Sequence, residues 1–167
     1  WEKGFGFAGI LFITGYVSTV GGQYQNGLEV LSEDGFSVLK GKNVAVVVNH
    51  TSVDYHDDHL ITLTHDEGVR IKAVFSPEHG FKGLVGAGEK VDNGFENLTG
   101  APIYSLYGKT KKPTSEMLKG IDILVFDMQD IGVRYYTYLS TLALTMEAAV
   151  ENGIPFMVLD RVNPLGT

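Results

Sequence analysis

Apolar runs of strand length alternate with longer amphipathic stretches along most of this chain. Val44, Ala45, Val46, Val47 and Val48 follow one another without a polar side chain, the pattern of a strand covered on both faces of a sheet. Similar runs predict further strands over 69–75, 103–106, 121–126 and 156–159. Between them the spacing predicts helices. Leu28, Leu31, Phe36 and Leu39 suit a short helical region interrupted at Gly35, and Leu60, Ile61 and Leu63 give one apolar side to a helix over 57–67. Pro113 and Thr114 open a short helix over 115–119. The longest helix is predicted over 133–152, with Leu139, Leu142, Ala143, Met146, Ala149 and Val150 as its buried stripe and Gly153 as its stop. Strands joined through helices run parallel with right-handed crossovers. The expected fold is therefore α/β: an open, mainly parallel, Rossmann-like sheet with helices on both faces.

Three stretches stand outside this alternation. Residues 5–20 carry no charge, follow Lys3 and lead into Gly21 and Gly22. The run is shorter than the roughly 20 residues of a spanning helix and ends in small and polar side chains, so 1–22 reads as the remnant of an export signal and 23–167 as the folded domain. Gly4, Gly6 and Gly9 spell a dinucleotide fingerprint, but no strand precedes them, and chance in a glycine-bearing apolar run explains it. Residues 76–101 are rich in Gly, Asn and charge and too long for an ordinary connection; they are expected to be an active-site loop. Beyond 156–159 no helix follows to cover the last strand, so a fragment is expected.

Composition narrows the function. The 167 residues are 44% apolar and 20% charged, as one globular domain requires. A net charge of -7 has the wrong sign for binding nucleic acid or an anionic membrane through bulk electrostatics. With no cysteine, disulfide scaffolds, thiolate zinc sites and thiol nucleophiles are excluded.

In an open parallel sheet the ligand lies beyond the carboxyl ends of the strands. The residues that follow each run are consistently polar: Asn49, His50 and Thr51; Ser76, Glu78 and His79; Tyr107 and Lys109; Asp127, Gln129 and Asp130; Asp160, Arg161 and Asn163. Strand ends meet water in any sheet, and turns favour Asn and Asp. The collective chemistry, however, is carboxylate, imidazole, guanidinium, amide and phenol, which suits a sugar or an acid. Ser76-Pro77-Glu78-His79-Gly80 places a carboxylate and an imidazole side by side. Glu78 is the first choice for a catalytic acid or base, because a cleft that excludes water raises a carboxyl pKa toward neutrality. His79 orients it or binds substrate; the alternative is a turn in which both are structural. Asp130 is expected near the start of the long helix, where it caps or binds, and Arg134 and Tyr136 lie beside the ligand edge in that helix's first turns, suited to an anionic group. His56, Asp57, Asp58 and His59 have His-x-x-His spacing, yet ligands from elsewhere are needed and a solvated helix start accounts for the carboxylates equally well. No metal and no cofactor is expected. A nucleotide-dependent enzyme is disfavoured because no phosphate-cradling glycine loop follows 44–48.

Several blocks carry a resemblance. They are the 27–31 stretch, the Asn49 and Thr51 strand end, Ser76 to Gly80, Ala87-Gly88-Glu89-Lys90-Val91, the 102–108 and 113–120 stretches, the 126–138 block, and Leu159-Asp160-Arg161 with Asn163-Pro164-Leu165-Gly166. Across 27–166 the chain resembles the bacterial exo-β-N-acetylmuramidase family, long catalogued as a domain of unknown function. The resemblance implies a secreted, periplasmic or cell-envelope glycosidase that removes N-acetylmuramic acid from the non-reducing end of peptidoglycan fragments. It also implies a Rossmann-like domain followed by a second domain, with the active site in the cleft between them and muramyl saccharides as ligands. The family's catalytic glutamate falls on Glu78; His79, Asp130, Arg134 and Tyr136 follow as members of matching motifs lining the cleft. His50, Ser52 and Val162 depart from the family's usual glutamine, glycine and proline. Glycoside hydrolysis usually uses two carboxyl groups, although the substrate's acetamido group can replace a nucleophile; the second partner is not identified. The lactyl carboxylate of muramic acid calls for Arg134, Arg161 or Lys109. A sugar-binding or envelope module without catalysis is the alternative.

Overall fold

The computed structural model describes residues 9–13, 16–17, 24–77, 94–133 and 135–165. Seven strands form one sheet. In chain order they are β1 (Ile10–Ile13), β4 (Asn43–Val48), β5 (Arg70–Ser76), β6 (Gly94–Phe95), β7 (Pro102–Ser105), β8 (Ile123–Asp127) and β9 (Phe156–Leu159); β2 (Tyr16–Val17) and β3 (Tyr24–Gln25) make a separate antiparallel pair. The order across the sheet is β1-β9-β8-β4-β5-β7-β6. All neighbours are parallel except β6, which runs against β7. The mainly parallel α/β sheet expected from the sequence is thus the architecture, and the carboxyl ends of β4, β5, β7, β8 and β9 share one edge.

Alternation within the strands explains the two layers. Val44, Val46 and Val48 join Val125, Met157 and Leu159 under α1 (Gly27–Glu33) and α2 (Leu60–Asp66), with Leu28, Leu31, Leu60 and Ile61 as the helical contribution. Ala45, Val47, Leu124, Phe126, Phe156 and Val158 face the other way, toward Ala148 and Ala149 of α3 (Tyr138–Glu151) and toward Leu118. Every residue from Val44 to Val48 is fully buried, as a strand with helices on both faces demands. Val44 and Ala45 of β4 pair with Ile71 and Ala73 of β5, so Lys72 is accommodated as an extra exposed residue and Ile71 and Ala73 reach opposite layers.

Local signals set the helix ends. Asn26 caps α1 by accepting from Leu28 and Glu29 amides, and the Glu29 carboxylate reaches back to the Asn26 N–H at 2.7 Å, a complete capping box. Gly27 sits where a Cβ would fall 2.4 Å from the Ile13 carbonyl and 2.6 Å from the Asp160 nitrogen, so only glycine lets α1 start this close to the strand ends.

Three expectations are corrected. The long helix begins at Tyr138, not 133: Asp130 Oδ1 accepts from Gly132 N at 2.6 Å, Gly132 has φ +72°, and a turn joins Tyr136 N to Val133 O. That Asp-initiated turn and left-handed glycine hold the chain out of the helix, so Tyr135 and Tyr136 lie in a loop and Asp130 caps no helix. The buried stripe of α3 is Tyr138, Thr141, Thr145, Ala148 and Ala149, while Leu139 is 68% and Val150 53% exposed. Thr141 and Thr145 return their hydroxyl protons to carbonyls one turn back, which leaves their methyls to the core. Finally, 115–119 forms hydrogen-bonded turns ending at Gly120, φ +73°, rather than a helix.

Within the run read as an export signal, Ile10–Ile13 is an edge strand pairing in register with Phe156–Leu159. Gly9 directly precedes this strand, while Gly4 and Gly6 lie outside the described residues. No helix among the described residues is long and apolar enough to cross a membrane.

Candidate active site

The shared carboxyl edge is braced most tightly where β4, β8 and β9 end. Asn49, directly after β4, is 1% exposed. Its Oδ1 accepts from Thr51 N at 2.9 Å and Thr51 Oγ1 at 2.6 Å, and its carbonyl accepts from Ser52 N at 3.1 Å. Thr51 Oγ1 in turn accepts from Gln129 N at 3.0 Å, tying this turn to the segment after β8. Gln129 donates through Nε2 to Asp130 O at 2.7 Å and Val162 O at 2.9 Å, which extends the brace to the segment after β9. Ser52, one of the departures from the family pattern, is fully buried; it accepts from Asn49 N at 3.1 Å and donates to Asp127 O. A serine here therefore bolts the turn to β8. Asn49 Nδ2 is buried without a partner among the described residues, and the bonds at Oδ1 fix the orientation of the amide.

Beneath these turns lies an ion pair. Asp127, the last residue of β8, is fully buried, and Arg161 donates Nε to its Oδ1 at 2.6 Å and Nη2 to its Oδ2 at 2.9 Å. Nη2 also donates to Val53 O at 3.0 Å. Burial pushes the Asp127 carboxyl up and the Arg161 fork pulls it down, burial being the larger influence. Arg161, expected at the ligand edge, thus spends its guanidinium on β8 and the turn after β4. The role of Asp127 was legible only in part: an Asp and an Arg that each follow an apolar run become partners because β8 and β9 are neighbours.

His59 was also read differently. Its Nδ1 accepts from Ile61 N at 3.2 Å as the N-cap of α2, and its Nε2 lies 2.9 Å from Asn49 O. The cluster with His56, Asp57 and Asp58 builds a turn around Asp54, whose Oδ1 accepts from His56 N at 2.8 Å and Asp58 N at 2.9 Å. His56 packs on Tyr55 instead. Among the described residues no group of His, Asp and Glu is arranged to hold a metal.

The rest of the edge is more open. Ser76 is fully buried at the end of β5, with its carbonyl accepting from Leu106 N at 2.7 Å. Tyr107 lines a cavity of about 190 Å³ with Leu106, Lys111, Thr137, Ser140, Thr141 and Leu144. Lys112 is engaged with Glu147 at 3.1 Å and Glu151 at 2.7 Å, but Lys111 has no ion-pair partner among the described residues. Thr137, the N-cap of α3, makes no side-chain cap bond. Tyr136 is half-exposed and meets Tyr138 edge-on at 5.1 Å. The structure therefore brings Asn49, Thr51, Gln129, Asp130 and Arg161 into one network and sets Tyr107 at a separate cavity. Glu78, His79 and Arg134 lie outside the described residues.

Residues 44–167 match the family model described as Exo-beta-N-acetylmuramidase NamZ, N-terminal. The chain belongs to this family. A relative named Peptidoglycan beta-N-acetylmuramidase NamZ, from Bacillus subtilis (strain 168), is 49% identical over 143 residues, which cover 85% of this chain and 34% of that protein. The crystal structure of a DUF1343 family protein from Bacteroides fragilis NCTC 9343 is similar with a TM-score of 0.76 at 50% identity, over 85% of this chain and 35% of that one. A second DUF1343 family protein of the same organism gives 0.68 at 35% identity, over 84% and 35%. The chain thus spans about a third of the length of these NamZ and DUF1343 relatives.

Proposed function

We propose that this chain supplies the sheet-edge part of a β-N-acetylmuramidase site that releases N-acetylmuramic acid from the non-reducing end of peptidoglycan fragments. A second domain closes the cleft. The setting is cell-wall turnover and recycling, in the periplasm, in the envelope or outside the cell. The observation that carries this reading is the 49% identity to a peptidoglycan β-N-acetylmuramidase. It is joined to an edge where Ser76 ends β5 beside the Asn49, Thr51 and Gln129 brace, with Pro77 and Glu78 next in sequence.

In this reading Glu78 gives its proton to the glycosidic oxygen as that bond breaks. Water then completes the exchange, assisted by a second carboxylate or by the substrate's own acetamido group. Asp127 is not that second group, because Arg161 occupies both its oxygens. His79 orients Glu78, while Asp130 and Tyr136 face the sugar from the segment after β8. The lactyl carboxylate takes a cation from Arg134, Lys109 or Lys111, since Arg161 is already committed.

Glu78→Gln, made in the protein that includes the second domain and assayed on a chromogenic muramide, is expected to lower kcat at least 100-fold, the usual contribution of a general acid. Unchanged turnover ends the role of Glu78. Muramyl saccharide binding by calorimetry with no product from the wild-type protein makes this a sugar-binding module instead.

A further inference from the structure

We propose that His59 is a positioning residue: its neutral ring clamps the end of β4 to the start of α2, and protonation releases the clamp. The geometry permits one tautomer. The carbonyl of Asn49 can only accept, so the ring nitrogen 2.9 Å away, Nε2, carries the hydrogen. The amide of Ile61 can only donate, so Nδ1, at 3.2 Å, presents its lone pair. A second proton has nowhere to go but Nδ1, where it faces the Ile61 N–H and turns the cap of α2 into two opposed donors.

What the ring holds is the brace beside the strand end that leads to Glu78, and the functional meaning of the clamp rests on the proposed site there. Asn49 O accepts from Ser52 N as well as from His59, and Asn49 Oδ1 orients Thr51, which takes Gln129 N. The returning strand of the turn closes against the same residues, with Leu60 N donating to Ser52 O at 2.9 Å and a bridge between Val53 and His59. Loss of the imidazole clamp therefore loosens Asn49, Thr51 and Ser52 together.

The surroundings of the ring oppose the proton on balance. Burial holds His59 below the usual imidazole range; the bond to Asn49 O and the charges of Asp127 on β8 and Glu96 after β6 act upward, and Arg161 after β9 acts downward. A histidine whose folded pKa is depressed leaves stability independent of pH above the unfolded value of about 6.5. Below it the unfolded chain takes a proton that the folded chain refuses, so stability falls until pH reaches the folded pKa and then levels.

Asparagine supplies the test, because it is among the best N-caps and does not titrate. In this 167-residue chain, urea unfolding from pH 7.5 to 5 is compared for wild type, His59→Asn and His59→Ala. Relative to His59→Asn, the wild-type unfolding constant is expected to rise up to about tenfold per pH unit below about 6.5. His59→Ala is less stable than His59→Asn at every pH. In parallel, imidazole nitrogen shifts should show hydrogen on Nε2 at pH 7.5. The Asn49, Thr51, Ser52 and Ile61 amide signals should move with the His59 titration in wild type and stay fixed in His59→Asn. A wild-type to His59→Asn ratio that stays constant across the range overturns the proposal, as does hydrogen on Nδ1 at pH 7.5. None of these readouts involves turnover, so a failed muramidase assay and a failed clamp are distinguishable.

Discussion

At the corner where β4, β8 and β9 end, almost every polar side chain has a protein partner, whereas at the corner between β7 and α3 Lys111 and Thr137 are left without one among the described residues. Asp127, Arg161, Ser52, Thr51 and Gln129 hold one another and the neighbouring carbonyls. Among the described residues, Lys111 and Thr137 line a cavity with no ion pair and no cap bond respectively. Buried polar groups that are fully paired fix geometry but have little left to give a ligand. Unpaired heads beside a cavity have the converse property. On the proposed reading the edge divides its labour: one corner sets the frame, and the other is left to meet the ligand.

Substitutions that break the frame are expected to register as stability. Asp127→Ala leaves the Arg161 guanidinium buried without its carboxylate, and should cost about 3–5 kcal/mol, the range for a broken buried pair. The urea midpoint at pH 7.5 measures it, and a loss below about 1 kcal/mol, the scale of an exposed pair, would make the bridge incidental. Gly27→Ala tests the backbone on which this corner stands. Its methyl meets the carbonyl of Ile13, the nitrogen of Asp160 and the Cα of Leu159, all within 2.8 Å, and none can rotate away. A cost of about 1–3 kcal/mol is expected from such overpacking. Thr51→Val keeps the shape but removes the oxygen that receives Gln129 N, for about 1 kcal/mol. Its amide exchange signature should be local, with Gln129 losing protection and the β8 core retaining it.

The legibility of these two corners from sequence alone was unequal, for physical reasons. Sheet, strand count along the core and the shared edge follow from apolar runs such as Val44 to Val48, whose burial on two faces leaves no alternation to misread. Asn49, Thr51 and Gln129 were legible as strand-end residues, but not their mutual bonds, since contacts between segments 78 residues apart depend on the packing order of β4 and β8. The His-x-x-His spacing raises a metal only to set it aside, but spacing along the chain cannot show that the His59 ring nitrogens are committed to Asn49 and Ile61. The start of α3 was misplaced because Asp130 and Gly132 form a turn of their own before the helix. Counting only apolar residues also hid Thr141 and Thr145 in its buried face.

Lys111→Met gives the smallest expected change in stability and the sharpest test of the open corner. The side chain is exposed and has no carboxylate partner among the described residues, so its loss should leave the urea midpoint within about 0.5 kcal/mol of wild type. Methionine keeps the aliphatic stem against the cavity wall formed by Leu106 and Leu144 while removing the charge. If this corner reads the acidic arm of a muramyl sugar, affinity for N-acetylmuramic acid drops about tenfold, near 1.4 kcal/mol. Affinity for N-acetylglucosamine, which lacks that arm, stays constant. Equal losses for both sugars would mean that the lysine acts on the fold of the cavity rather than on the ligand's charge. The contrast between a corner that frames and a corner that recognises would then fail at its open end.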